Sequence, residues 1–278
     1  YGGHLEMLRW LHGIKCSWDV DTCNSAAACG HLNVIQFAHM HGCPWDEGTC
    51  SEAARDGHLK VLQWVRMKGC PWDKYTCSEA ARGGHLPILQ WAHMMGCPLD
   101  AYTCSSAARG GHLDILKWLR DHGCPWDEYT CAESAREGHL KVLQWARANG
   151  CQLDPEYTFS RAARGGHLEV LQWLHIQGYE WDKSTCSGAA YGGHIATLKW
   201  LHEMQCPWDE RTCSAAARGG HLEVLKWVHV NGCRWDRMTC EYAARAGHLQ
   251  VYEWARSYGC PCDQSASKRI LIWSHASR

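Results

Sequence analysis

The chain has 278 residues, in which 28 lysines and arginines stand against 29 aspartates and glutamates. The resulting formal net charge of −1 gives no overall pull toward phosphate or an anionic membrane. No apolar run approaches the ~18 residues of a membrane-crossing helix.

Taken from the start, Tyr1 falls in the middle of a repeating unit, just before Gly2, Gly3 and His4, so the sequence is expected to be a piece of a longer chain. The Gly-His pair then sets a period. His4, His31, His58, His85, His112 and His139 are 27 residues apart, the step to His167 is 28, with Pro155 in the turn as the extra residue, and 27 resumes through His194, His221 and His248. A fixed period of this size is the mark of a solenoid, whose units bury their apolar faces only against neighbours.

Each unit reads as two short helices. The first is predicted to open at a capping threonine, as in Thr49-Cys50-Ser51-Glu52 and Thr76-Cys77-Ser78-Glu79, a capping-box pattern. Paired alanines such as Ala80-Ala81 and Ala107-Ala108 allow close helix approach, and Gly57, Gly84 or Gly111 ends the helix. The second runs from His58 to about Lys68 in one unit, with Leu59, Leu62, Val61, Trp64 and Val65 on a broad buried face. Gly-Cys-Pro, as at residues 69–71, stops it. Nine such pairs are expected over residues 1–263. Residues 264–278 lack the pattern and are expected to form a terminal cap or a tail.

At these residues, Asp-x-x-Thr followed by Ala-Ala-x-x-Gly-His-Leu-x-x-Leu, the sequence resembles the ankyrin repeat. It departs from that family in its 27-residue period, in Thr-Cys where the family has Thr-Pro-Leu-His, and in its regular tryptophans, such as Trp64 and Trp72. Only seven residues separate Gly69 from Thr76. The fold class expected is therefore an all-α, ankyrin-like solenoid with the β-hairpin finger cut to a tight turn. The resemblance implies a scaffold or adaptor that binds a protein partner.

The nineteen cysteines fall mostly in two columns, one through Cys43, Cys70 and Cys97, the other through Cys50, Cys77 and Cys104. With the Gly-His histidine, Cys43, Cys50, His58 and their equivalents form an alternative zinc reading. The spacing lacks a Cys-x2–4-Cys knuckle, and Phe159 and Tyr179 replace cysteines. Buried free thiols in a reducing, cytoplasmic setting are the reading adopted, with no cofactor. Ten copies of Gly-His serve no single active site, so each ring is expected to bond neighbouring backbone, and no enzyme is predicted. The basic column that includes Arg66, His93 and Arg120 suits helix C-termini. An aspartate in every turn suits turn stabilisation.

Positions that differ between copies are free of packing duty and open to a partner. Tyr75, Tyr102, Tyr129 and Tyr157 occupy one such position in four consecutive units. Tyrosine offers large contact area with few torsions and a polar end. With Arg82, Arg109, Arg136 and Arg164 they form the candidate partner-binding ridge, on a chain expected to be monomeric, away from membranes, and disfavoured for nucleic acid by its charge.

Overall fold

A computed structural model describes residues 3–262; residues 264–278, read above as cap or tail, lie outside them. The described residues hold nineteen α-helices and no strand. Residues 95–100, between one helix pair and the next, are turn and extended backbone, so the connection is a tight turn rather than a hairpin. The chain divides into two compact units, one of residues 3–134 with 141–151, the other of 135–140 with 152–262.

The first unit shows how the repeat works. Its helices α6 (Lys74–Gly83), α7 (Leu86–Met94), α8 (Ala101–Gly110) and α9 (Leu113–Asp121) make two successive pairs. First helices α6 and α8 pack directly on one another because their contact faces are Ala80, Ala81, Ala107, Ala108 and serines, all buried and all small. In the second helices Ile88, Leu89 and Ala92, then Ile115, Leu116 and Leu119, face the core at helical spacing. The first-helix layer is thus the tightly packed one. The second unit repeats the plan, with α12 (Pro155–Gly165), α14 (Lys183–Gly192), α16 (Glu210–Gly219) and α18 (Arg237–Arg245) as its stacked first helices.

One boundary differs from the sequence reading. The helix begins two residues before the threonine, three in α12, and the capping residue is the turn aspartate. Asp73 accepts from the Tyr75 N–H at 2.9 Å, and Asp154 from the Tyr157 N–H at 3.1 Å. In α8 the box is complete in another register: Asp100 accepts from the Thr103 N–H at 3.1 Å, and the Asp100 N–H donates to the Thr103 hydroxyl at 3.3 Å. A carboxylate takes an orphan amide and also complements the positive end of the helix dipole. From Thr49 through Thr239 the threonines instead sit in the first turn, fully buried.

The glycines that close the helices have positive φ, +83° at Gly84 and +84° at Gly69. Two units lack the second of these glycines, and Lys15 and Gln205 take the left-handed conformation in its place, with φ of +57° and +60°. An L-residue there costs about 1–2 kcal/mol, partly offset by the entropy glycine loses on folding. We expect Gln205→Gly to raise unfolding free energy by about 0.5–1 kcal/mol, measured by urea denaturation; a drop would contradict the strain.

Candidate binding surface

Along both units the histidine of the Gly-His pair recurrently binds the preceding repeat, as His58, His112, His194 and His248 do. His112 Nε2 donates to the Arg82 carbonyl at 3.1 Å, His58 to Ala28 at 3.0 Å, and His194 to Arg164 at 3.0 Å. The ring lies over the glycine of the repeat before, so close that a Cβ on Gly84 would stand 2.5 Å from the His112 ring. In the second unit, burial pushes the pKa of His167 and His221 below the ordinary histidine value. A ring donating to a carbonyl of the neighbouring repeat is a structural tie. Glycine and histidine recur together because each is half of one contact.

The two cysteine columns also meet, which their spacing along the chain does not reveal. From Cys23 through Cys213, each second-column cysteine pairs with the first-column cysteine 20 residues later, as in Cys77 with Cys97 and Cys104 with Cys124. The first-column thiol in turn donates to the carbonyl of the capping aspartate one repeat back, Cys97 to Asp73 at 3.3 Å and Cys124 to Asp100 at 3.2 Å. The hydrogen bond with Cys124, then burial, holds the Cys104 thiol well above the usual thiol range. The same hydrogen bond lowers the pKa of its partner Cys124, so each pair acts as one buried link. Phe159 and Tyr179 stand 20 residues apart, so the two aromatic replacements fall at a single pair position. Cys43, Cys50 and His58 do not converge: Cys43 pairs with Cys23, and the His58 ring lies against Gly30. One pair departs from the free-thiol reading, since Cys240 and Cys262 form a disulfide; the other seventeen cysteines are outside any disulfide.

The basic column near the second-helix end has more than a dipole to answer. Arg66 stacks over Trp72 at 4.0 Å and Arg120 over Trp126 at 4.1 Å, while each guanidinium also donates to a carbonyl, of Cys70 and Cys124 respectively. His39, His175 and His229 stack on Trp45, Trp181 and Trp235. This explains the regular tryptophans: they fill the space between the more widely set second helices.

The predicted ridge divides between the two units. In the first, Tyr75, Tyr102 and Tyr129 are 44–49 % exposed. The Tyr75 and Tyr102 rings meet edge to face with centroids 5.9 Å apart. Tyr102 and Tyr129 line one pocket with Ser105, Ser106, Arg109, Asp127 and Glu133. Burial, then the nearby Glu128 carboxylate, raises the Asp127 pKa above the ordinary carboxylate value. Arg82 lies 3.9 Å from Glu79, and Arg109 reaches Glu133 of the next repeat at 3.8 Å. The arginine column therefore pairs with glutamates. Lysines reach the aspartate ladder instead, Lys74 to Asp100 at 3.4 Å. In the second unit, Tyr157 is half-buried and accepts a hydrogen bond from Arg161, Arg136 lies 3.7 Å from Glu137, and Arg164 stacks on Tyr191 at 4.2 Å.

A second surface was not foreseen. Met40, Met67 and Met94 recur every 27 residues at the ends of successive second helices, 71–79 % exposed. Their recurrence could have been read from the sequence, but they look like the end of the apolar helix face. Among the described residues no helix is long and apolar enough to cross a membrane.

No family model matches this chain, and no curated protein matches it. Among solved structures it is similar to the pentatricopeptide repeat protein PPR10 in complex with an 18-nt psaJ RNA element, and to a cysteine-to-serine variant of that protein with the same RNA. Each match has 15 % identity and a TM-score of 0.42, covering 97 % of this chain and 48 % of the other. The chain thus spans about half the length of those proteins. That both similar structures are RNA complexes corrects the disfavouring of nucleic acid made above from net charge, which sums over a whole surface and does not describe a local one. At this identity and score the likeness itself assigns no partner.

Proposed function

We propose that this chain is a non-catalytic binding scaffold of ankyrin-like construction, and that its first unit takes a polypeptide segment on the first-helix side, at the pocket between Tyr102 and Tyr129. The observation that carries the proposal is the row of half-exposed tyrosines on a layer whose alanines and serines are committed to packing. Tyrosines held this way present contact area at small entropic cost, as interface anchors do. Arg109, Glu133 and Asp127 put both signs of charge at the pocket, which suits the mixed donors and acceptors of a peptide. The Gly-His and thiol ties hold the helices that carry the ridge, and the seventeen cysteines outside the disulfide fit a reducing compartment.

The test is selection from a displayed random-peptide library and, in parallel, from a random single-stranded RNA pool. Peptides selected by the native chain should lose at least about tenfold in affinity with Tyr102→Ala or Tyr129→Ala, a cost typical of an anchor residue, with helicity unchanged. Unaltered affinity would remove the ridge from the account. Selective RNA capture, lost in the same variants, would replace the polypeptide with nucleic acid.

A further inference from the structure

The last described repeat breaks the sulfur pattern in one place. Elsewhere the turn after the second helix reads Gly-Cys-Pro-Trp-Asp or a close variant, with tryptophan at 45, 72, 126, 181, 208 and 235. At the equivalent place stands Cys262, in Gly259-Cys260-Pro261-Cys262. The side chain at this position lies against the first-helix residue 22 positions earlier. Trp181 shows it, with its ring 5.7 Å from that of Phe159. Cysteine here therefore sets a third sulfur on a buried pair that elsewhere has two. The Sγ atoms of Cys240, Cys260 and Cys262 all lie within 4.8 Å of one another, with Cys240 and Cys260 buried and Cys262 half-buried. They are the one group of three or more potential ligands found among the described residues.

Three thiolates on one tetrahedral zinc ion, at Zn–S distances of about 2.3 Å, stand about 3.8 Å apart along the tetrahedron's edges. The Cys260 sulfur lies within 4.8 Å of both members of the Cys240–Cys262 disulfide, so opening that bond leaves three thiols within reach of one such ion. We propose that, with the Cys240–Cys262 disulfide reduced, Cys240, Cys260 and Cys262 bind one Zn²⁺ through three thiolates, with a fourth position left for an exogenous donor. A dithiol reductant supplies the two electrons and two protons that open the disulfide, and is itself oxidised to a disulfide. Zinc then displaces one proton from each of the three thiols. Disulfide and metal site are alternative states of the same sulfurs, so occupancy is set by redox state. Thiolate softness suits a d¹⁰ cation over calcium or magnesium.

The experiment uses the whole chain, reduced anaerobically with a phosphine and titrated with Co²⁺, followed through sulfur-to-cobalt charge-transfer absorption and then by displacement with Zn²⁺. Native protein should bind one equivalent. Cys262→Trp, which restores the residue of the other turns, should abolish that equivalent with helicity intact, and Cys262→Ser, a smaller change, should do the same. The unreduced native chain should bind none. Failure of the reduced native chain to take up metal, or undiminished uptake by either variant, would overturn the proposal.

Discussion

Gly84→Ala is expected to lower unfolding free energy by about 2–5 kcal/mol, far more than the loss of flexibility alone would suggest, since removing glycine usually stabilises where the backbone permits it. Two costs combine. At φ +83° a Cβ meets the following carbonyl, worth about 1–2 kcal/mol. The same methyl would stand 2.5 Å from the His112 ring, which cannot retreat without losing its 3.1 Å bond to the Arg82 carbonyl. Overpacking of this kind costs about 1–3 kcal/mol. Urea denaturation followed by circular dichroism measures the change. An effect below about 1 kcal/mol would mean that the ring moves freely and that Gly-His does not tie the repeats.

Leu116→Ala should cost a similar amount, about 2–5 kcal/mol, for a different reason. Leu116 is fully buried on α9 between Ile115 and Leu119, and its neighbours are held by the repeats on either side, so the cavity left behind cannot collapse. In a repeat array the loss is felt mainly at the altered unit and its interfaces. Hydrogen exchange should therefore show protection falling most in α7, α8 and α9, while the global transition measures the sum. Uniform loss of protection through the first unit would contradict a nearest-neighbour account.

The 27-residue period, both helices of each pair and the glycine stops were legible because each rests on local rules: helical spacing of apolar residues, and left-handed backbone at Gly84 or Gly69. The cap was misplaced because aspartate and threonine, three residues apart, are both good capping residues, and only the buried environment of the threonine decides between them. Cys104 with Cys124, or Gly84 with His112, could be seen as columns but not as partners, since pairing depends on how one repeat sits on the next. That Arg82 and Arg109 pair with Glu79 and Glu133 was not legible, because those glutamates recur too irregularly to form a full column of their own. The tyrosine position stood out because it varies among copies. Met40, Met67 and Met94 were overlooked because a recurring apolar residue reads as core until its exposure is known.

Two surfaces of the first unit therefore compete for a partner, the tyrosine row and the methionine column. The most direct measurement places a photoreactive benzoylphenylalanine at position 102 in one protein and at position 67 in another, and irradiates each with the peptide selected by the native chain. Crosslinking from position 102 and none from position 67 is the result the account predicts. Crosslinking from position 67 alone would place the partner on the second-helix ends and contradict it.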